Sequence, residues 1–571
     1  MPLEKVTLTP GVNKESTSFS NEGTWYDCDK VRFRQTLPEK IGGWTRISVY
    51  TFLGVCRSLF NWVTLVGTNL LGVGTHLKFY IGQGGDYFDI TPIRATVALT
   101  DPYTTTSGSA VVTVTDAAGG YTDGDYVTFS GGSDVAGLDL NNEYAIDIPG
   151  TSTTTFNITA ATTANASTTG GGSVSAAYQI NVGSEAVTPL TGWGAAAFGA
   201  GTWGSSGTSQ LQIRLWSQSN FGEDLLFCPR SGGIYYWDSS VGTGTRAVEL
   251  STMVGADNVP TVASQILVSD VSRFVFAFGC NDYGSSVQDR LLVRWSDQET
   301  AVSWYPAATN QAGSIRLSKG TAIVTATQSR QEILVWTNTS LYTMQYVGAP
   351  VVWGTQIVGE NISIVGPNAV AYANGTSFWM GIDKFYVYDG ILQQLPCSLR
   401  RFVFSDINYL QMAQVFASTV EAYHEIWWFY PSTDSTTCDK YVVYNYMDSV
   451  WYHGTMDRSA WLDSGLRTYP LAATYSNNLV NHEEGVDDNE TGTPAAISAH
   501  IESAQFDIDD GSQMSLVSRI IPDITFDGSD ADSPVVTLSL IPQDYPGAAL
   551  TTPASTGDVA EGTVTRTATS L

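Results

Sequence analysis

The sequence predicts an all-β protein whose main body is a β-propeller built from hairpin repeats. The first observation is a repeated phrase between Gln331 and Trp461, in which an apolar strand, a polar turn and an aromatic strand follow one another. The phrase reads EILVW-TNTS-LYTMQYVG at 332–348, TSFWM-GIDK-FYVYDG at 376–390 and EIWWFYP-STDSTTCD-KYVVYNYMDSVWYHG at 425–454. Aromatic and β-branched runs separated by Gly, Asn, Asp and Ser are typical of β-hairpins.

The second observation is that related phrases occur earlier, at 224–238, 273–297 and 77–90. The third is the spacing of matching aromatic side chains, which recur roughly every 45 to 60 residues. These side chains are Tyr236, Trp295, Tyr342, Tyr386 and Tyr441. Self-similarity at such a period indicates propeller blades or stacked β units.

Composition bounds the function. The 571 residues are 43% hydrophobic and 12% aromatic, enough for a large core, so disorder across the whole chain is excluded. The 27 Lys and Arg stand against 55 Asp and Glu, and the net charge is −28. A protein that grips nucleic acid through its phosphates carries the opposite balance. Any contact with DNA is therefore expected to be repulsive or sliding.

Six scattered cysteines predict neither a disulfide framework nor a zinc site: Cys28, Cys56, Cys228, Cys280, Cys397 and Cys438. The N-terminal stretch lacks the apolar core of a signal peptide, and nowhere do about 18 apolar residues run together. We expect a protein made in a cytoplasm that does not span a membrane by itself.

Residues 1–50 are predicted to form an N-terminal arm and a docking strand. In this strand Lys30, Arg32 and Arg34 alternate with apolar residues, which places the three cations on one strand face. This face is either simply solvated or docks onto an acidic neighbour. It is the candidate docking face of the chain.

Residues 51–94 are predicted to be the first propeller unit. At Ala95 the sequence becomes rich in Thr, Ala, Gly and Ser, with alternating strands at 110–116, 125–131 and 155–161. Residues 95–180 are therefore predicted to be a small β-sandwich or β-barrel inserted into the first repeats, since insertions at exposed loop tips are tolerated.

Residues 181–461 are predicted to hold the remaining blades, after a Gly- and Trp-rich loop. Two segments, 367–373 and 407–420, are the candidates for helices. Residues 462–571 turn polar and acidic before strand patterning resumes, which predicts a C-terminal β module. This module lacks a closing apolar strand, so another segment or subunit is expected to complete its edge.

The sequence contains no residue pattern that is typical of a catalytic site. No two of the five histidines have metal-ligand spacing, and His424 and His453 are expected to be satisfied core or rim side chains. Acidic turns at 487–492 and 509–510 do not follow the EF-hand pattern. Residues 296–304 distantly resemble the Asp-box turn of sialidase-type propellers but lack its glycine. We predict no catalytic, cofactor or metal residues, and no enzyme activity.

Several phrases, taken in order, resemble the tail nozzle or hub proteins of short-tailed bacteriophages, also called packaged-DNA stabilisation proteins. They are VRFRQTLPEKIGGW, WSDQETAVSWYPAATNQAGS, RQEILVWTNTSLYTMQYVG, FWMGIDKFYVYDG, LPCSLRRFVFSDIN and DKYVVYNYMDSVWYHG. The resemblance covers roughly 1–94 and 180–475. It implies a homohexameric ring in the virion tail, below portal and adaptor proteins and carrying tail fibres or spikes. Double-stranded DNA would pass its lumen without specific binding.

Two other functions remain open. A glycan-binding or sialidase-like propeller of a phage fibre would use clusters such as Trp193, Trp203, Trp427 and Trp428 to stack on sugars, with one ring of the 427–428 pair in the core and one at the rim. A bacterial surface or scaffold propeller is the third possibility. For the nozzle, the flexible loops 191–208 and 239–246 are expected to narrow the channel.

Overall fold

The structure, a computed structural model, describes residues 5–189 apart from 118, 150 and 151, residues 210–507 apart from 271, and short stretches after residue 507. Six consecutive four-stranded antiparallel sheets follow the chain order, and a seventh sheet completes the set. We name them blades 1 to 7, each counted from its innermost strand outwards.

The strands of the first four blades are bounded as follows. Blade 1 comprises Cys56–Val63, Asn69–Thr75, Phe79–Gln83 and Asp86–Asp89; blade 2 comprises Trp216–Phe221, Asp224–Pro229, Tyr235–Trp237 and Val248–Glu249. Blade 3 comprises Gln265–Val268, Val275–Phe278, Leu292–Trp295 and Gly313–Arg316; blade 4 comprises Ile323–Gln328, Ile333–Thr337, Ser340–Gly348 and Val352–Glu360.

The last three blades complete the ring. Blade 5 comprises Val370–Ala373, Thr376–Met380, Phe385–Tyr388 and Leu392–Leu395; blade 6 comprises Phe416–Val420, Glu425–Tyr430, Lys440–Asn445 and Val450–Thr455. Blade 7 comprises Ala460–Leu462, Leu471–Ala473 and Leu479–His482, followed by Trp44–Arg46 and Asp488–Asn489. The fourth strand of blade 7 therefore comes from the N-terminal arm.

The ring is closed. The innermost strand of blade 7 contacts that of blade 1, and neighbouring innermost strands contact one another at blades 1–2, 2–3, 3–4, 5–6 and 6–7. Between blades 4 and 5 the rings of Trp336 and Trp379 lie 5.2 Å apart in an edge-to-face arrangement. The predicted β-propeller is confirmed, and the described residues form seven blades. An N-terminal strand in the last blade ties the two ends of the ring together.

The inserted domain, predicted to be a small β-sandwich or β-barrel, is a β-sandwich. One sheet has the order Ile93–Thr100, Ser173–Gln179, Tyr126–Ser130 and Glu143–Ala145, and the other has the order Thr155–Thr159, Val111–Thr115, Tyr103–Thr105 and Thr168–Gly170. Its own apolar core lies between the two sheets. Ile93 pairs with Gln179, so the chain enters and leaves the sandwich at adjacent positions, which is why blade 1 and blade 2 remain neighbours.

The arm packs against the outer strand of blade 6. Thr9–Val12 pairs in parallel with Thr24–Asp29, which pairs in turn with His500–Ser503, and Val31–Arg34 forms a hairpin with Leu37–Lys40. The predicted boundary between propeller and C-terminal module at 461/462 is wrong, because residues 460–489 build blade 7. The chain then returns to the arm, and the later pairings join Leu516–Val517 to Thr569–Ser570 and Val535–Leu540 to Ser555–Ala560.

Helical structure is short. The α-helix Arg400–Asp406 has seven residues, and 3-10 turns occur at Phe19–Asn21, Ser239–Val241, Leu250–Thr252, Tyr409–Gln414 and Glu421–Tyr423. Of the two predicted helices, 367–373 contains the strand Val370–Ala373, and 407–420 contains a 3-10 turn followed by a strand. None of the helices in the described ranges is long and apolar enough to cross a bilayer.

Candidate functional site

The candidate docking cations lie in three different environments. Arg32 is completely buried; Lys30 precedes the strand at φ 55° and contacts Asp29 and Thr455; Arg34 is more than half exposed, 3.8 Å from Glu39. The predicted common face is therefore wrong for Arg32, because its side chain is enclosed within the chain and is not available to another molecule.

The acidic neighbours of Arg32 belong to the same chain. The Arg32 guanidinium donates to both carboxylate oxygens of Glu425, with Nε 2.9 Å from Oε1 and Nη2 3.2 Å from Oε2, and to both of Glu483 at 2.7 Å. The ring of Tyr423 lies 3.6 Å from the guanidinium carbon. This cluster joins the arm, blade 6 and blade 7, so it anchors the arm.

Glu425 is completely buried and receives further donors. The Tyr452 hydroxyl donates to it at 2.6 Å and the Trp427 indole N–H at 2.7 Å. Since a buried carboxylate needs partners to offset desolvation, the cluster is satisfied by hydrogen bonds from all sides. Burial by itself lowers the pKa of Arg32, but the negative charges of Glu425 and Glu483 outweigh it and raise the pKa well above its ordinary range.

His424 and His453, the two histidines predicted to be satisfied core or rim side chains, occupy different environments. His453 is buried, with Nε2 3.1 Å from Asp27 Oδ1, and its ring packs against Phe402. His424 adopts a left-handed backbone at the end of a 3-10 turn and contacts Tyr446. A fully buried histidine that the prediction did not single out, His482, accepts a hydrogen bond from Arg458 Nε at 2.8 Å.

The turn that resembles an Asp box lies between the third and fourth strands of blade 3. Asp297 Oδ1 accepts from the backbone N–H groups of Gln298 and Gln311, and buried Trp304 donates to the carbonyl of Ala301 at 2.7 Å. These bonds close the turn on itself. In the described part of the chain no three His, Cys, Asp or Glu side chains come together as a metal site; residues 509–510 lie outside it.

Trp427 and Trp428 are both buried, so the prediction of one core and one rim ring is wrong. They lie in the second strand of blade 6, and each face of such a strand is covered by a neighbouring blade. Neither ring can stack on a sugar. Trp193 and Trp203, the other two of the predicted cluster, lie outside the described residues.

A polar cavity of 330 Å³ lies on the propeller axis, lined mainly by the innermost strands of blades 2, 3 and 4. Ser217 and Ser219 accept hydrogen bonds from the backbone N–H groups of Ile266 and Val268. Gln265 bonds both backbone groups of Ala326 in the next blade. Side chains of one blade thus form hydrogen bonds with the unpaired backbone groups at the strand edge of the next blade.

One end of the axis is covered by the chain between the sandwich and blade 2. We name residues 184–189 and 210–215 the crossing segment; Thr188–Pro189 pairs with Gln210–Leu211 and Ser184 bridges Ile213. Arg57 of blade 1 donates to the carbonyl of Glu185 at 2.8 Å.

At its other end the crossing segment meets the connection between blades 5 and 6. Gln411 bonds both backbone groups of Val187, at 3.0 and 2.8 Å, and receives a bond from Gln414 at 2.7 Å. Val187, Ile213 and Leu215 are buried there. Blades 1 and 5 are not neighbours in the ring, so the segment spans the end of the axial cavity.

Of the two loops predicted to narrow a channel, the one that the structure describes does not lie on the propeller axis. Residues 191–208 lie outside the described residues. Residues 239–246 join the third and fourth strands of blade 2, which are its outer strands, and there Arg246 bonds Asp89 at 3.1 Å and Glu143 at 3.2 Å. Buried Lys78 also pairs with both carboxylates. This four-charge cluster fastens the sandwich to blades 1 and 2.

The exterior is more acidic than the composition implies. Among the described residues five cations are buried, namely Arg32, Arg57, Lys78, Arg294 and Arg458, against three carboxylates, Asp116, Asp125 and Glu425. The net charge of the whole chain is −28. Since the interior retains more positive than negative side chains, the surface carries the acidic excess.

Comparison with known proteins adds only distant structural likeness. No family model and no curated protein matches the chain. Among solved structures, Hsv2 of Kluyvelomyces marxianus aligns at 10% identity and TM-score 0.28, over 47% of this chain and 76% of its own.

A catalytically inactive virginiamycin B lyase from Staphylococcus aureus, with quinupristin, aligns at 6% identity and TM-score 0.30, over 53% and 87% of the two chains. The extracellular domain of the one-component system BT4673 from B. thetaiotaomicron aligns at 12% identity and TM-score 0.27, over 74% of this chain and 41% of its own. At these scores the propeller assignment rests on the order and closure of the sheets described above.

Proposed function

We propose that this chain is a non-catalytic structural subunit of the tail nozzle or hub of a short-tailed bacteriophage. In this function six copies form a ring that extends the DNA channel below the portal and adaptor proteins, retains the packaged genome and passes it at ejection. Tail fibres or spikes attach to the same ring. The ordered phrases from VRFRQTLPEKIGGW to DKYVVYNYMDSVWYHG motivate this proposal.

The observation that carries it is the acidic exterior of a closed propeller. Phosphates are repelled by a surface with this charge, so DNA can slide past without adhering. Because the crossing segment covers one end of the propeller axis, the DNA channel of such a ring lies between copies and not inside one propeller. The channel wall is then formed by the acidic outer surfaces.

The glycan-binding alternative loses one of its supports, since Trp427 and Trp428 are buried in blade 6. A sialidase mechanism would need two positioned carboxylates. The most buried carboxylate, Glu425, is already paired with Arg32, and Tyr452 and Trp427 donate to it.

The deciding experiment is mass photometry with negative-stain imaging of the purified protein, alone and mixed with its portal–adaptor assembly. A six-fold ring with a central opening, or monomers that form one on the adaptor, is the expected result. Monomers or trimers that are indifferent to the adaptor would overturn the nozzle assignment; binding on a glycan array would then favour the fibre alternative.

A further inference from the structure

The connection between blades 5 and 6, together with the turn between the second and third strands of blade 5, exposes a surface that is both apolar and basic. We name it the assembly patch; it consists of Ile382, Lys384, Arg400, Arg401, Tyr409, Leu410 and Met412. Its four large apolar side chains are between 38% and 45% exposed. Grouped apolar side chains at the surface of a soluble protein mark interaction sites.

The backbone beneath the patch is held firmly. The Tyr409 hydroxyl donates to the carbonyls of Ile382 and Phe404 at 3.2 and 3.1 Å. On the opposite face of the same 3-10 turn, Gln411 and Gln414 are buried and bond the crossing segment and each other. The apolar side chains are thus presented by a fixed element, which lowers the entropy cost of binding.

The charge around the patch is opposite to that of the chain. The side chains of Lys384 and Arg400 lie beside one carboxylate, and the carboxylate of Asp406, in the same helix as Arg400, is paired with Lys440 at 2.8 Å. Asp383 lies 3.8 Å from Lys384 and 3.6 Å from Arg400, and Glu15 accepts the backbone N–H of Arg401. Cations are therefore in local excess on a chain of net charge −28. An acidic surface is the complement of this patch.

We propose that the assembly patch binds an acidic surface of a second copy of this chain. Every copy carries both the patch and the acidic exterior, so the contact joins two different surfaces. Repeated head to tail, such contacts close into a ring when the rotation permits. An apolar centre with arginines at the contact is also the usual composition of a protein interface. The inference rests on the proposed ring and names the surface that builds it.

The test compares two double variants with the unchanged protein by mass photometry, across a concentration series. Arg401→Glu with Leu410→Asp reverses a charge and adds a second one inside the patch. The control, Arg330→Glu with Leu466→Asp, makes the same chemical changes at exposed positions of blades 4 and 7. Both positions lie at the end of the propeller opposite to the patch. Thermal unfolding of all three proteins verifies that each is folded.

The expected result is a ring for the unchanged protein and for the Arg330/Leu466 variant, with at least a tenfold weaker assembly of the Arg401/Leu410 variant. Higher salt should also weaken assembly of the unchanged protein, because the contact is partly electrostatic. Equal assembly of all three proteins would overturn the patch assignment while leaving the proposed function standing. Loss of assembly in both variants would overturn it too, since the effect would then not depend on the patch.

A different result would end both proposals. If the unchanged protein stays monomeric at every concentration, with and without the adaptor, the ring itself is absent.

Discussion

Arg32 shows how one residue can have a role that its sequence context does not reveal. In the sequence it is one of three alternating cations, and alternation suggested an exposed face. In the folded chain it is enclosed by Glu425, Glu483 and Tyr423. Its two acidic partners are separated from it by 393 and 451 residues, and no local pattern can specify so distant a pairing.

We expect Glu425→Gln to destabilise the propeller by about 3 kcal/mol, since removing one partner of a buried ion pair leaves the other charge uncompensated. Chemical denaturation followed by tryptophan fluorescence measures the change. Glu421→Gln, an exposed neighbour, is the control and should alter stability by less than about 0.5 kcal/mol. Equal effects of the two changes would show that the cluster contributes little.

We expect the stability of the protein to depend on pH through His482. Burial, together with the cations Arg458 and Arg32, holds the pKa of His482 well below its usual range. In the unfolded chain the side chain of His482 takes up a proton near pH 6.5, whereas in the folded chain it stays neutral at that pH. The contribution is therefore present above pH 6.5 and is lost as the pH falls below it, by up to about 1.4 kcal/mol per pH unit.

We expect this acid-side slope to become shallower in His482→Gln, because the buried group that resists protonation is removed. Denaturation midpoints at pH 7.5, 6.5 and 5.5 measure it. His500→Gln, at an exposed position, should keep the slope of the unchanged protein. A His482→Gln protein with the original slope would assign the pH dependence to other groups, such as His453, whose pKa is also lowered by burial.

At the scale of elements, hairpin patterns are the most informative part of the sequence. The recurring aromatics Tyr236, Trp295, Tyr342, Tyr386 and Tyr441 all lie in the third strand of their blades. The strands could be predicted because runs of aromatic and β-branched residues are recognisable within a short stretch of sequence. The position of Trp427 and Trp428 could not, because strict inside–outside alternation fails where both faces of a strand are covered.

The crossing segment is the element whose role depends most on distant contacts. Gln411→Ala would leave both backbone groups of Val187 without their side-chain partner in a buried site, at about 1–3 kcal/mol. We expect amide hydrogen exchange to accelerate in residues 184–189 and 212–215 while the blades keep their protection. Gln356→Ala, an exposed strand position, should change neither. Unchanged exchange in the crossing segment would show that other contacts hold it.

For the whole molecule, ring closure decides stability. The arm contributes Trp44–Arg46 as the fourth strand of blade 7, and Arg32 fastens it to blade 6. The arm is therefore part of the propeller and not an independent domain. Its first described residues, 5–8, lie outside this strand pairing.

Deletion of residues 1–50 should therefore abolish cooperative folding, because blade 7 loses a strand and Glu425 loses its cation. Deletion of residues 1–8 is the matched control and should melt like the full chain. Differential scanning calorimetry distinguishes the two. A cooperative transition in the longer deletion, at the temperature of the full chain, would show that the ring closes without the arm.

The all-β class, the repeated hairpins and the presence of an inserted β domain could be predicted from the sequence, since each of these follows from strand periodicity, turn residues and a local change of composition. Tertiary structure alone decided the blade number, the closure of blade 7 by an N-terminal strand, the burial of Arg32 and the path of the crossing segment. These features depend on contacts between residues far apart in the chain. The free energy of these contacts is gained only after the ring has closed, so they cannot be predicted from any short stretch of the sequence.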